Sequence, residues 1–137
     1  MTPARVVMFV SRDPAHRQLY LTGLRRLGLL TVWVDAVDDA RKLLSQYRVT
    51  AIIVHVASAD DWRPPLELIT AARSSPVLVL GSDGWKSARQ VERAFEGGYA
   101  GVITESCTAD TLADIIRRSI GGERGILWPD PRVAEAG

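Results

Sequence analysis

Five short apolar runs, each followed by a stretch of helical periodicity, constrain this chain more than any other feature. The runs are VVMFV at 6–10, LTVWV at 30–34, AIIVHV at 51–56, PVLVL at 76–80 and YAGVI at 99–103. They are apolar at consecutive positions rather than alternate ones. Such runs suit strands covered on both faces, as a parallel sheet with crossover helices requires. The stretches between them carry apolar residues at helical spacing: Leu19, Tyr20, Leu24 and Leu27; Ala40, Leu43, Leu44 and Tyr47; Leu66, Ile69 and Ala72; Val91 and Phe95; Leu112, Ile115 and Ile116, with Ser119 on the same face. The run at 51–56 is central, and its one polar residue, His55, falls at the carboxyl end.

Local signals punctuate these segments. Asp13 before Pro14 is a helix N-cap followed by proline at the first helical position, and Gly28 stops that helix. Gly23 inside it costs about 1 kcal/mol against alanine, which marks a site of close packing. Pro65 opens a helix, Thr108 caps another, and the pairs Gly97-Gly98 and Gly121-Gly122 end helices. Strands alternating with helices, joined by right-handed crossovers, give an α/β fold. We expect a flavodoxin-like (βα)5 three-layer sandwich with a parallel five-stranded sheet of order 2-1-3-4-5. Its crevice would lie at the carboxyl ends of strands one and three. Residues 1–121 form this domain, and residues 122–137, with an Ile126-Leu127-Trp128 cluster and two prolines, read as a linker or a docking tail.

Composition limits the function classes. A chain of 137 residues with net charge +1 has no long-range pull toward nucleic acid or membrane, and no apolar run is long enough to span a bilayer. One cysteine, Cys107, excludes an internal disulfide, and no signal peptide is evident, so a cytoplasmic location is expected. No nucleophile–base pair and no metal-ligand cluster stands out, so neither an enzyme nor a metal or cofactor site is expected.

The order of motifs resembles the receiver domain of bacterial response regulators, the CheY-like domains, and within them the receivers of NarL/LuxR-type transcriptional regulators. The residues that carry the resemblance are Asp13-Pro14-Ala15-His16-Arg17, Gly23-Leu-Arg-Arg-Leu-Gly28, Asp39-Ala-Arg-Lys-Leu-Leu44, Leu66-Glu-Leu-Ile69, Pro76-Val-Leu-Val-Leu80 and Ala94-Phe-Glu-Gly-Gly-Tyr-Ala-Gly101. The stretch from Ile115 to Arg124, followed by Leu127 and Pro129, resembles the junction to a helix-turn-helix output domain. The resemblance implies a phosphoacceptor aspartate after strand three, an acidic Mg²⁺ pocket after strand one, a Ser/Thr after strand four and a Lys after strand five.

Every one of those positions is changed. The phosphoacceptor position is His55; the acidic pocket falls on Ser11 and Arg12, with Asp13 beside them; the switch positions fall on Gly81, with Ser82 next to it, and on Glu105. Mg²⁺ prefers octahedral oxygen ligation. A guanidinium about 5 Å from it would be repelled by roughly 7 kcal/mol at an effective dielectric constant near 20. The resemblance therefore implies a pseudo-receiver, a phosphorylation-independent regulatory module acting through a protein partner, an output domain, a second copy of itself or a small ligand. Alternatives are a receiver whose acceptor has moved to Asp60 or Asp61, and a small-molecule-binding domain using a rim at Trp62 and Trp85. His55 reads either as a strand-end hydrogen-bonding residue or as a pH-responsive or ligand-contacting group. Arg12 and Glu105 read either as a locking ion pair across the rim or as two solvated charges. Asp60-Asp61 and Asp38-Asp39 read as solvated loop acids and first-turn helix charge, and the 81–84 loop as a turn.

Overall fold

Each of the five apolar runs becomes a strand, and the consecutive hydrophobicity is used on both faces. The computed structural model describes residues 5–56, 69, 72, 75–81, 88–104 and 107–129. The strands are β1 (Arg5–Val10), β2 (Thr31–Val34), β3 (Arg48–Val56), β4 (Val77–Gly81) and β5 (Gly101–Ile103). A sixth, β6 (Ile126–Trp128), follows the last helix. All pair in parallel, in the order β2-β1-β3-β4-β5-β6. The expected order 2-1-3-4-5 is present, and the sheet is six-stranded rather than five-stranded because residues 126–128 add to the β5 edge. There Ile126 is 2% exposed, and its N–H donates to the Ala100 carbonyl at 3.2 Å.

Helix α1 runs through Pro14–His16, a π-helical stretch Arg17–Leu21 and Thr22–Arg26. It is followed by α2 (Val37–Leu43), α3 (Ala88–Glu96) and α4 (Ala109–Ile120). The helix expected from Pro65 lies largely outside the described residues. Its Ile69 and Ala72 are described, are helical, and pack on the core.

The alternation of side chains along each strand divides the core in two. Val6, Met8, Ile52, Val54, Val77 and Val79 point to the face covered by Ala40 of α2 and Ala94 of α3. Val7, Phe9, Ile53, Leu78 and Leu80 point to the face covered by Tyr20 and Leu24 of α1 and by Leu112, Ile115 and Ile116 of α4. In α1 the buried stripe is His16, Tyr20 and Leu24; Leu19, expected to face inward, is 49% exposed beside it. Tyr47, also expected to face inward, is 37% exposed.

Contacts far apart in the chain fix α1 against α4, among them a hydrogen bond from the Arg117 guanidinium to the Leu27 carbonyl at the end of α1. A Cβ placed on Gly23 would lie 2.5 Å from Ala109 Cβ, so glycine is what permits the approach. The Tyr20 hydroxyl donates to the Cys107 carbonyl at 2.7 Å and accepts from the Cys107 N–H at 3.2 Å, latching the start of α4 to the middle of α1. This holds α1 along that face of the sheet, with His16 of its first turn against His55 at the carboxyl end of β3.

Candidate functional site

At that edge the chain leaves β1 through Ser11, which is 3% exposed and whose N–H donates to the Val34 carbonyl at 3.0 Å. The Ser11 hydroxyl oxygen accepts from the Asp13 N–H at 3.0 Å and lies 3.1 Å from His55 Nδ1. One small side chain thus joins the exit of β1, the start of α1 and the end of β3. Asp13 caps α1 as its sequence predicts, Oδ1 accepting from the Ala15 N–H at 2.9 Å. Its second oxygen, Oδ2, faces His16 Nε2 at 3.9 Å. The rings of His16 and His55 meet edge to face with centroids 4.2 Å apart. Among the described residues, His16 Nδ1 and His55 Nε2 are buried nitrogens with no hydrogen-bond partner.

The electrostatics follow from this packing. Burial lowers the pKa of His16, and Asp13 opposes the shift. Burial also lowers that of His55, the neighbouring His16 charge lowers it further, and Asp13 again opposes. Asp13 itself is held below the ordinary carboxylate value, chiefly by the Ala15 N–H. The site at neutral pH is therefore two uncharged imidazoles beside one carboxylate. It opens on a cleft of about 470 Å³ between the β1 and β3 ends and the turn at Asp35, Ala36 and Val37.

Of the residues singled out in the sequence, Ser11, Arg12, Asp13 and His55 all line this cleft, with Arg12 exposed. Gly81 lies one strand away, buried and in register with Val56. Ser82, Glu105, Trp62 and Trp85 lie outside the described residues, as do Asp60 and Asp61, so the Arg12–Glu105 pair and the tryptophan rim are not drawn. His16 was not singled out as a site residue. Its signal was the spacing Asp13-x-x-His16, which places both side chains on one face of the first helical turn.

The donor set does not fit the Mg²⁺ ion that the receiver resemblance implies. It offers one carboxylate, half committed to a helix cap, a serine hydroxyl already engaged, two imidazoles and an exposed guanidinium, where Mg²⁺ needs oxygen ligands. No carboxylate stands at position 55 to form an acyl phosphate.

The chain matches no family model and no curated protein sequence. Solved structures do match. One is an atypical orphan response regulator described as having a phosphorylation-independent regulatory mechanism; it is 16% identical, with a TM-score of 0.71 over 88% of this chain and 98% of that one. The signal receiver domain of a signal transduction histidine kinase from Syntrophus aciditrophicus is 25% identical, with a TM-score of 0.68 over 87% and 92%. A LuxR family DNA-binding response regulator from Silicibacter pomeroyi is 20% identical, with a TM-score of 0.66 over 92% and 98%. The chain thus has the flavodoxin-like fold of response-regulator receiver domains and is similar to these structures over 87–92% of its length.

Proposed function

We propose that this chain is a receiver-fold regulatory module that works without aspartyl phosphorylation. The observation that carries the reading is the end of β3. There an uncharged, half-buried His55, tied to Ser11, occupies the place where a receiver would present its aspartate. Phosphoryl transfer to aspartate depends on an acceptor carboxylate and on Mg²⁺ and cations that neutralise charge around it; position 55 carries no carboxylate, and the Ser11, Arg12, Asp13 and His55 set lacks the oxygen ligands that Mg²⁺ prefers. The likeness to receivers supports a signalling role rather than an enzymatic one. The chain would act by docking on a partner protein, an output domain or a second copy of itself, and through that on transcription, in the cytoplasm. Among the described residues no helix is long and apolar enough to cross a membrane. The cleft of about 470 Å³ favours a second mode of control, by a small ligand at the same edge.

Incubation with acetyl phosphate and Mg²⁺, followed by intact-protein mass spectrometry, tests the reading. The expected result is no added phosphoryl mass. A stoichiometric adduct would overturn it, and mapping that adduct to Asp60 or Asp61 would establish a relocated acceptor instead.

A further inference from the structure

At the carboxyl edge of the sheet His55 Nε2 and His16 Nδ1 are buried without partners, and Asp13 Oδ2, not used by the helix cap, faces His16 Nε2 at 3.9 Å. We propose that Asp13, His16 and His55 bind one divalent transition-metal ion of the zinc class. This goes beyond the signalling role and stands without it.

The donor chemistry selects the ion. Two imidazoles and a carboxylate suit Zn²⁺ and its neighbours, which take nitrogen ligands readily. This set is chemically distinct from an oxygen-only Mg²⁺ pocket, and His16 is a donor that such a pocket does not use. One donor atom from each of the three residues already lies within 4.8 Å of the other two. Bonds of 2.0–2.1 Å at tetrahedral angles would hold donors about 3.3 Å apart. The widest gap must therefore close by at most about 1.5 Å. Of the Asp13–His16 pair, 3.9 Å apart, Asp13 is the one able to shift. Its side chain is 38% exposed, whereas the His16 side chain is 9% exposed and held edge-on to Tyr20.

The surroundings fit the role. A metal-bound histidine usually donates its other ring N–H to a fixed acceptor. His55 Nδ1 is 3.1 Å from the Ser11 hydroxyl, and its Nε2 is the buried nitrogen without a partner. Asp13 uses Oδ1 for the helix cap and keeps Oδ2 toward His16. Three protein ligands leave a fourth position, and Asp13 and His55 both border the cleft through which water or an anion would reach it. Arg12 is exposed, so its charge can extend into solvent, away from a bound cation.

The test is titration of the whole chain with Co²⁺, read by visible d–d absorption, and with Zn²⁺, read by displacement of Co²⁺ and by the melting midpoint. One ion per chain and a higher midpoint with Zn²⁺ are expected. Asp13→Asn keeps a residue able to cap α1 while removing the anionic ligand, and should weaken binding by at least about tenfold with the circular dichroism spectrum intact. Ser11→Ala should weaken it by a similar factor through loss of the His55 support. Absence of a Co²⁺ spectrum and of a Zn²⁺ effect at millimolar metal would overturn the proposal. So would binding unchanged in both Asp13→Asn and His55→Asn, which would place the ion elsewhere.

Discussion

Ser11 and the two histidines make the edge of the sheet sensitive to single atoms. Replacing Ser11 by alanine removes the partner of both the Asp13 N–H and His55 Nδ1. That should destabilise the fold by about 1–3 kcal/mol, read as a shift in the urea midpoint. Acid should act at the same place. His16 and His55 have lowered pKa values in the folded chain, so below about pH 6.5 the unfolded chain binds more protons than the folded one. Stability of the metal-free protein should be full above that value. It should be lost as the pH falls through the window between 6.5 and the lowered folded values. Urea unfolding in a chelating buffer between pH 8 and pH 5 checks this, and a flat profile would show that the imidazoles titrate normally. Cys107 is predicted to be inert. Burial raises its pKa to about 11, so thiol reagents at pH 8 should label it slowly in the native chain and rapidly in denaturant.

Gly23, marked in the sequence only as a costly residue inside a helix, proves to be the point where α1 meets α4. Gly23→Ala would place its methyl 2.5 Å from Ala109 Cβ, and neither atom is a flexible chain end. The expected loss is about 1–3 kcal/mol from overpacking, seen in the melting midpoint. Adding Ala109→Gly should recover part of it, whereas no recovery would mean that the contact is not the cause. Gly101 plays a related part in β5. A Cβ there would lie 2.8 Å from Leu78 Cδ2 and 3.3 Å from Ile126 Cβ, so the glycine admits close packing from both neighbouring strands. The caps, the glycine stops and most of the inward stripes were legible in the sequence because they depend on residues close along the chain. The exposure of Leu19 was not, since it depends on how the π-helical α1 lies on the sheet.

Across the whole molecule, β6 closes one flank of the sheet. Ending the chain after residue 125 would remove Ile126, whose burial is worth about 1.5–3 kcal/mol. It would also bare the β5 edge, an unpaired ladder prone to association. Such a truncation should melt earlier and elute as larger species in size-exclusion chromatography. A monomeric variant with an unchanged midpoint would show β6 to be dispensable.

The sequence by itself determined the α/β class and the edge of the sheet where the polar residues collect, and it left 2-1-3-4-5 as the simplest order of the five principal strands. Those follow from consecutive apolar runs, helical periodicity and the handedness of crossovers, all written locally. It also showed that position 55 lacks a carboxylate. Only the tertiary structure decided that Ile126-Leu127-Trp128 pairs with β5, because three residues between a glycine turn and a proline carry too little pattern to announce a strand. Only it brought His16 against His55, because that contact depends on where the first turn of α1 lies against the end of β3. That placement is set by the Gly23–Ala109 approach and the Tyr20–Cys107 latch, which join residues far apart in the chain.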